Sequence, residues 1–139
     1  MAQDKVTQLR DFATRYTAAW CSQDAASVAE FFAPRGSLAI NGGAPSVGRG
    51  AIAIAAQGFM TAFPDLKVYM DDLLEQQGKL IYKWTLEGNN SGPGGTGKRV
   101  RISGFEEWQM GDDGLVAESL GSFDAADYQR QVEHGVGGK

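Results

Sequence analysis

The stretch of sequence that organises this chain spans residues 100–123 and reads VRISGFEEWQM, then GDDG, then LVAESLGSF. Two strand-like runs flank an Asp-Gly turn, a pattern that predicts a β-hairpin. Side chains alternate between the two faces of a strand, so the even-numbered residues of the first run share one face. That face is apolar except for Glu106. The hairpin is therefore expected to hold one carboxylate among apolar side chains.

Glu106 is accordingly the first candidate for a functional residue. A carboxylate with apolar neighbours loses hydration, and its pKa should rise. Such a group can transfer protons near neutral pH, or donate a hydrogen bond as a neutral acid. Two structural alternatives stay open: Glu106 pairs with a Lys or Arg, or a bulge turns it towards solvent.

Length and composition suit a single globular domain over residues 1–139, with 42% apolar and 22% charged residues. A net charge of −4 argues against nucleic acid or an anionic membrane as a partner. No apolar run has transmembrane length and the N-terminus lacks a signal-peptide core, so a cytoplasmic location is the default expectation. Residues 1–4 and 133–139 are expected to be disordered tails.

The scarcity of Cys and His restricts the available chemistry. The chain has one cysteine, Cys21, and one histidine, His134. An internal disulfide, a Ser-His-Asp triad and a His-rich metal site are therefore not expected, and we expect neither a metal nor another cofactor. Residues 92–98 fit the phosphate-loop pattern GxxxxGK but lack the Ser or Thr and the helix that should follow. They are interpreted as a flexible hairpin loop that could act as a lid.

Helical spacing predicts three helices in the first half of the chain. The first spans residues 5–20 and the third spans residues 51–63. The second is short, is capped by Asp24 and is ended by residues 34–36. Tyr16 lies on the buried stripe of the first helix. Its hydroxyl needs a polar partner, which could be a backbone carbonyl or a functional group.

Asn41 ends a short strand predicted at 37–41, where the strand meets a loop. Two interpretations of Asn41 stay open: an amide that contacts substrate, or a residue that forms the turn.

Strands are also predicted at 66–74 and 79–88, and a closing helix at 125–132. In the strand 79–88, the apolar row 80, 82, 84 and 86 needs cover from helices or from another subunit. The last strand carries small residues at Ser119 and Gly121, which leave space. The element order predicts an α+β fold, in which a strongly curved, mostly antiparallel sheet forms a cone around the long N-terminal helix and encloses a cavity.

An ordered series of motifs resembles the SnoaL-like branch of the nuclear-transport-factor-2-like superfamily. The series runs over most of the chain: Trp20, Asp24, FFA at 31–33, GRG at 48–50, FPDL at 63–66, GNNSG at 88–92, DGLVAE at 113–118, Asp124 and Gln131. Members include polyketide cyclases, ketosteroid isomerase, limonene epoxide hydrolase and non-catalytic binding domains. The resemblance implies a cone-shaped fold and a homodimer formed through the open sheet face, for which the row 80–86 is the expected surface.

The catalytic residues of these relatives are only partly matched. The acid/base His and Asp of the cyclases fall on Asn90 and Gly121. The water-positioning Asn of the epoxide hydrolases resembles Asn41, whereas their Arg and two Asp residues fall on Lys83, Thr85 and Gly121. The oxyanion-hole Tyr and protonated Asp of the isomerase resemble Tyr16 and Glu106. Its proton-shuttling Asp falls near Ile40, which cannot transfer a proton.

Two functions follow as hypotheses. The first is a cofactor-free isomerase, cyclase or lyase acting on a small hydrophobic carbonyl compound. In it, Tyr16 and Glu106 stabilise an enolate, or Glu106 is the base and Asn41 orients the substrate. The second is a non-catalytic dimeric domain that binds an apolar small molecule. The expected pocket residues are Trp20, Phe59, Lys83, Thr85, Trp108, Ser119, Gly121 and Phe123.

Overall fold

The structure is a computed structural model that describes the backbone of residues 2–136 and the side chains of residues 7–136. Its elements are α1 (Ala2–Cys21), α2 (Ala25–Ala29), β1 (Phe32–Ile40), β2 (Ser46–Val47), α3 (Arg49–Ala62), β3 (Lys67–Gln76), β4 (Lys79–Asn89), β5 (Arg99–Met110), β6 (Val116–Phe123) and α4 (Ala125–His134). Within the described residues, no helix is both long enough and apolar enough to cross a lipid bilayer.

The six strands form one curved, unclosed sheet in the order β2-β1-β6-β5-β4-β3. All neighbouring strands are antiparallel except β1 and β6, which run parallel. The predicted hairpin is formed by β5 and β6, and its register sets Glu106 opposite Gly121. The predicted α+β fold with a curved, mostly antiparallel sheet and a long N-terminal helix is confirmed.

Helix α1 covers the concave face of the sheet and supplies much of the core. The rings of Phe12 and Tyr16 on α1 contact Trp108 on β5 edge-on, with centroid distances of 5.8 and 5.2 Å. Tyr16 also meets Tyr82 on β4 at 5.4 Å. Edge-to-face aromatic pairs at such distances are favourable beyond the area they bury. These ring contacts join α1 to β4 and β5.

This packing corrects the expected dimer surface. Leu80, Tyr82 and Leu86 are buried in the core of their own chain, and the ring of Tyr82 stacks on Trp108 at 4.9 Å. Because α1 and the core already cover this apolar row, it cannot also serve as a surface for a second subunit.

The start of β1 is a second correction. The prediction extended the second helix to residues 34–36, but α2 ends at Ala29 and β1 begins at Phe32. A register shift between Phe32 and Ser37 accommodates the Pro-containing segment beside β6. A Cβ at Gly36 would lie 2.8 Å from the carbonyl oxygen of Val116, so close approach of the two strands requires a glycine there.

The ends of the chain are more structured than expected. Residues 2–4 belong to α1 and residues 133–134 to α4. The backbone N–H of Val136 donates to the carbonyl of Arg99 at 2.9 Å. Met1 and residues 137–139, which complete the predicted tails, lie outside the described residues.

The glycine-rich loop at 92–98 connects β4 to β5, as predicted, and is folded around Asn90. The amide oxygen of Asn90 accepts a hydrogen bond from the backbone of Thr96 at 2.9 Å, and its Nδ2 donates to the carbonyl of Ala62 at 3.3 Å. The backbone of Asn90 is bonded to both Gly97 and Lys98. These bonds join the loop to the end of α3.

Candidate active site

Glu106 projects from β5 into the concave side of the sheet, where it is 7% exposed. Its Oε1 accepts three hydrogen bonds, from Ser119 Oγ at 2.7 Å and from Trp108 Nε1 and the Tyr16 hydroxyl at 3.0 Å each. Its Oε2 receives one hydrogen bond from the described residues, from the same Tyr16 hydroxyl at 3.1 Å. The two carboxylate oxygens are therefore unequal, because Oε1 is saturated with donors and Oε2 is not.

The environment raises the pKa of Glu106. Burial is the main cause, and the hydrogen bonds from Ser119, Trp108 and Tyr16 oppose it. Each of these donors stabilises the ionised form, whereas removal from water favours the neutral one. No ion pair of residues 7–136 includes Glu106. The expected rise in pKa is confirmed, and both structural alternatives, an ion pair and a turn to solvent, are wrong.

Tyr16 is completely buried on α1 and has Glu106 as the partner of its hydroxyl. Burial, and then the charge of Glu106, raises the pKa of Tyr16 well above its ordinary value. The phenol therefore stays protonated and acts as a hydrogen-bond donor. Tyr82 has a separate partner, since its hydroxyl shares a hydrogen bond with Thr17 Oγ1 at 2.5 Å.

Strand register explains why these groups meet. Glu106 lies opposite Tyr82 on β4 and opposite Gly121 on β6. Trp108 lies opposite Ser119. Both side chains point to the same face as Glu106, and this pair is the next one on that face towards the turn of the hairpin. From there the indole N–H and the hydroxyl reach Oε1, whereas Gly121 has no side chain that would cover the carboxylate from its own side.

A cavity of about 60 Å³ borders Glu106 between the sheet, α3 and the end of α1. It is lined by Trp20, Leu38, Ile40, Ala55, Phe59, Val68, Tyr82, Trp84, Leu86, Ile102, Glu106, Gly121, Ser122 and Phe123. Among these described residues, Glu106 alone carries a charged side chain. A cavity of about 150 Å³ holds benzene, so an aromatic ligand needs neighbouring side chains to move aside.

Five of the predicted site residues line this cavity. They are Trp20, Phe59, Glu106, Gly121 and Phe123. The rings of Trp20 and Phe59 meet edge-on at 6.2 Å, and together they form the helical side of the cavity. Gly121 and Phe123 belong to the opposite, strand side.

Three predicted residues lie behind Glu106 rather than in the cavity lining. Tyr16, Trp108 and Ser119 are each 0% exposed, and each donates a hydrogen bond to the carboxylate. Trp108 and Ser119 are therefore not pocket residues, because their side chains are enclosed by the core. All three hold the carboxylate in position.

Lys83 and Thr85 were expected in the pocket, and this is wrong. Alternation along β4 turns Tyr82 and Trp84 inwards and these two residues to the outer face. Lys83 is exposed there. Thr85 donates to Asp71 Oδ2 at 2.6 Å and shares a hydrogen bond with Ser103 at 2.7 Å.

Asn41 forms a turn and does not line the cavity. Its φ is +53°, and its side-chain oxygen accepts a hydrogen bond from the backbone N–H of Phe123 at 2.9 Å. Asn tolerates this left-handed conformation better than most residues. Of the two interpretations left open, the structure supports the turn-forming one.

The cavity lining also contains residues that were not predicted to belong to it. Tyr82, Trp84 and Leu86 on β4 and Ile102 on β5 line the cavity. Their signal is present in the sequence, because Ile102 shares the face of Glu106 and the three β4 residues form one apolar row. The row was assigned to a subunit interface instead.

The fold of this chain matches the ketosteroid isomerase-like cone fold. A family model described as SnoaL-like polyketide cyclase matches residues 10–132. The chain belongs to the SnoaL-like polyketide cyclase family, which confirms the resemblance drawn from its motifs. No curated protein matches the chain with significant similarity.

Solved structures with the same fold cover nearly the whole chain. A protein from Catenulispora acidiphila with a ketosteroid isomerase-like fold is similar at 13% identity and a TM-score of 0.76, over 87% of this chain and 91% of that one. TsrD from Streptomyces laurentii is 19% identical, with a TM-score of 0.76 over 91% and 95%. SalBIII, an epoxide hydrolase/cyclase-like enzyme with a role in pyran ring formation in salinomycin, is 15% identical, with a TM-score of 0.74 over 87% and 94%. At these identities the likeness establishes the fold alone.

Proposed function

We propose that this protein is a cofactor-free isomerase, cyclase or lyase for a small hydrophobic carbonyl compound, with Glu106 as its proton-transferring base. The observation that carries the proposal is a buried carboxylate with a raised pKa at the edge of an apolar cavity. A base is most effective when its pKa lies near the working pH. Perturbed carboxylates in cavities are typical of functional sites.

The two oxygens of Glu106 suit different tasks in this mechanism. Oε1 is held by three donors, so Oε2 is the oxygen with a free lone pair for a substrate. Oε2 takes the proton from a carbon next to the carbonyl, the C–H electron pair becomes part of an enolate, and Glu106 becomes a neutral acid. The same acid then returns the proton to another carbon, which completes an isomerisation, or to a leaving group as its bond to carbon breaks, which completes an elimination. In a ring closure the enolate carbon attacks a second carbonyl group of the substrate, the C=O π bond opens to an alkoxide, and the acid protonates that alkoxide.

The base role is favoured over a Tyr16–Glu106 pair that binds the enolate oxygen. Tyr16 is fully buried, and its hydroxyl already donates its hydrogen bond to the carboxylate of Glu106. Among the described lining residues, no cationic side chain is available to stabilise an enolate. We therefore expect substrates whose carbanion is stabilised by its own conjugation, such as β,γ-unsaturated ketones.

A non-catalytic binding domain is the second candidate. One observation favours it: among the described lining residues, Glu106 is the single carboxylate, so both proton transfers fall on it. A pocket that binds an apolar molecule through one hydrogen-bonding group needs no second catalytic residue.

Isomerisation of cyclohex-3-en-1-one to its conjugated isomer, followed by ultraviolet absorbance, tests the proposal. The wild-type protein should accelerate this reaction, and Glu106→Gln should lower the enzymatic rate by about 10²–10⁴-fold. Glu107→Gln is the matched control, because Glu107 is on the outer face. An unchanged rate in Glu106→Gln would contradict the base role, and binding of the ketone without turnover would support the second candidate.

We also propose that the protein is a homodimer that forms through the outer face of the sheet. The side chains of Tyr69, Phe105 and Leu120 are 44%, 39% and 40% exposed, and alternation places them opposite the core. Such apolar side chains favour burial between subunits. Light scattering should give the mass of two chains, and Phe105→Glu should halve it. A wild-type mass of one chain would exclude the dimer.

A further inference from the structure

The glycines of β5 and β6 differ in what the fold requires of them. A Cβ at Gly104 would lie 2.3 Å from the carbonyl oxygen of Ser122 and 2.7 Å from the ring of Trp84. At Gly121 the nearest atoms to such a Cβ would be 3.5–3.9 Å away, which is ordinary van der Waals contact. The backbone at Gly121 does not have a positive φ. The fold therefore needs a glycine at 104 and tolerates a side chain at 121.

The space left at Gly121 lies beside the carboxylate. Gly121 is the cross-strand partner of Glu106, and it lines the cavity. A Cβ at this position would be 3.8 Å from Cγ of Glu106 and 3.9 Å from Cγ1 of Ile40. Any side chain at 121 would thus occupy the cavity next to Glu106.

We infer that Gly121 is a specificity-determining residue, which leaves the cavity side of Glu106 open and sets the size of the group that reaches this carboxylate. The inference deepens the proposed function and rests on it, because it takes Glu106 as the group that meets the ligand. The other side of Glu106 is closed by Tyr16, Trp108 and Ser119. Access from the side of Gly121 is therefore the route by which ligand size is selected. In a cavity of about 60 Å³, even one methyl group is a large obstruction.

Gly121→Ala tests this role with two neutral probes, phenol and 2-ethylphenol, whose binding is measured by calorimetry. Both hydroxyls can donate to Oε2 of Glu106, and the ethyl group of the second probe lies beside its hydroxyl, on the side of the ring that reaches the carboxylate. The substitution should weaken binding of 2-ethylphenol by about tenfold and that of phenol by about twofold or less, because overpacking excludes the larger probe first. Gly50→Ala is the matched control: a Cβ at Gly50 meets no atom within 4 Å, and Gly50 lies outside the cavity lining.

The melting temperature separates obstruction from unfolding. Replacing Gly by Ala in a compatible backbone conformation stabilises a fold slightly, so Gly121→Ala should melt at the same or a higher temperature. Gly104→Ala should melt much lower, because its Cβ would clash with backbone. Equal binding of both phenols by wild type and Gly121→Ala would overturn the inference and leave the proposed function standing.

A titration of Glu106 provides a readout that needs no ligand. The methyl group of Gly121→Ala displaces water from the cavity side of the carboxylate, so the pKa of Glu106 should rise further than in the wild type. Failure of the wild type both to bind the phenols and to isomerise the ketone would contradict the proposed function. The titration tests the inference separately, because an unchanged pKa of Glu106 in Gly121→Ala would show that position 121 does not control access to the carboxylate and would overturn the inference even if the proposed function holds.

Discussion

Glu106 and Glu107 are neighbours in the chain with opposite environments. Glu106 lies on the concave face, buried, with three hydrogen-bond donors and no cation among its described partners. Glu107 lies on the outer face, where its side chain is 35% exposed and forms an ion pair with Lys79 at 3.4 Å. A single step along a pleated strand separates the two. The fold, rather than the residue type, makes one carboxylate chemically unusual and leaves the other an ordinary surface group.

The comparison also separates two kinds of stabilisation. An exposed ion pair such as Lys79–Glu107 contributes about 0–1 kcal/mol, because solvent screens it. A buried carboxylate satisfies donors that would otherwise be unpaired, and an unpaired buried donor costs about 1–3 kcal/mol. Substitutions of Glu106 and Glu107 should therefore differ strongly in their effect on the free energy of unfolding.

The largest difference is expected between Glu106→Ala and Glu107→Ala. Glu106→Ala leaves the donors of Tyr16, Trp108 and Ser119 without their acceptor, so the free energy of unfolding should fall by about 3 kcal/mol or more. Glu107→Ala should lower it by about 0.5 kcal/mol or less. Urea denaturation measures both. Equal losses in the two variants would remove the distinction between the faces.

Tyr16→Phe removes one donor from Glu106 while keeping the aromatic ring. The free energy of unfolding should fall by about 1.5–3 kcal/mol, as for a hydrogen bond to a charged group. The pKa of Glu106 should rise, because the hydroxyl favours the ionised form. Tyr82→Phe is the control, since the Tyr82 hydroxyl is bonded to Thr17. A pKa unchanged by Tyr16→Phe would show that the hydrogen bond has no influence on the titration.

The pH dependence of stability should reveal Glu106 with a defined sign. In the unfolded chain this carboxyl ionises at its ordinary pKa of about 4.3, and burial raises the value in the folded protein. The folded state therefore binds the proton more tightly, and its stability falls as pH rises from the ordinary to the raised pKa. Each unit between the two values is worth about 1.4 kcal/mol.

Glu106→Gln isolates this effect. The stability of the wild type relative to Glu106→Gln should be highest below the ordinary pKa and should decline as pH increases through the raised one. The same comparison with Glu107→Gln serves as the control on the outer face. A difference between wild type and Glu106→Gln that stays constant with pH would contradict a raised pKa.

The smallest effect is expected at Lys79. Lys79→Met removes the cation that faces Glu107 and should change the free energy of unfolding by about 0.5 kcal/mol or less at low salt. The change should vanish at about 1 M salt, where the screening length is about 3 Å. A larger, salt-independent loss would show that this pair is not an ordinary surface contact.

The contrast between the two glutamates was predictable because strand alternation needs no tertiary information. The same rule places Tyr82 beside Glu106 and turns Lys83 and Thr85 away from it. Those two residues were nevertheless assigned to the pocket by family resemblance. The period of the strand was therefore a better guide to the face than the resemblance.

Other parts of the site depend on packing between distant segments. The bond between Tyr16 and Glu106 joins residues 90 positions apart, and nothing local in the sequence decides between Glu106 and a backbone carbonyl as the partner. The early start of β1 at Phe32 likewise depends on its pairing with β6. The turn at Asn41 follows from a hydrogen bond to Phe123 on that same strand. Local patterns predicted the elements and their faces but not these long-range partners.

Direct titration of Glu106 is the most decisive measurement for this protein. The carboxyl carbon of Glu106 can be followed by NMR over pH 3–9, with and without phenol. Burial should make Glu106 titrate above the ordinary range of a glutamate, and phenol should shift this titration. If Glu106 titrates in the ordinary range, or phenol leaves its titration unchanged, a proton-transferring carboxylate at the cavity is contradicted.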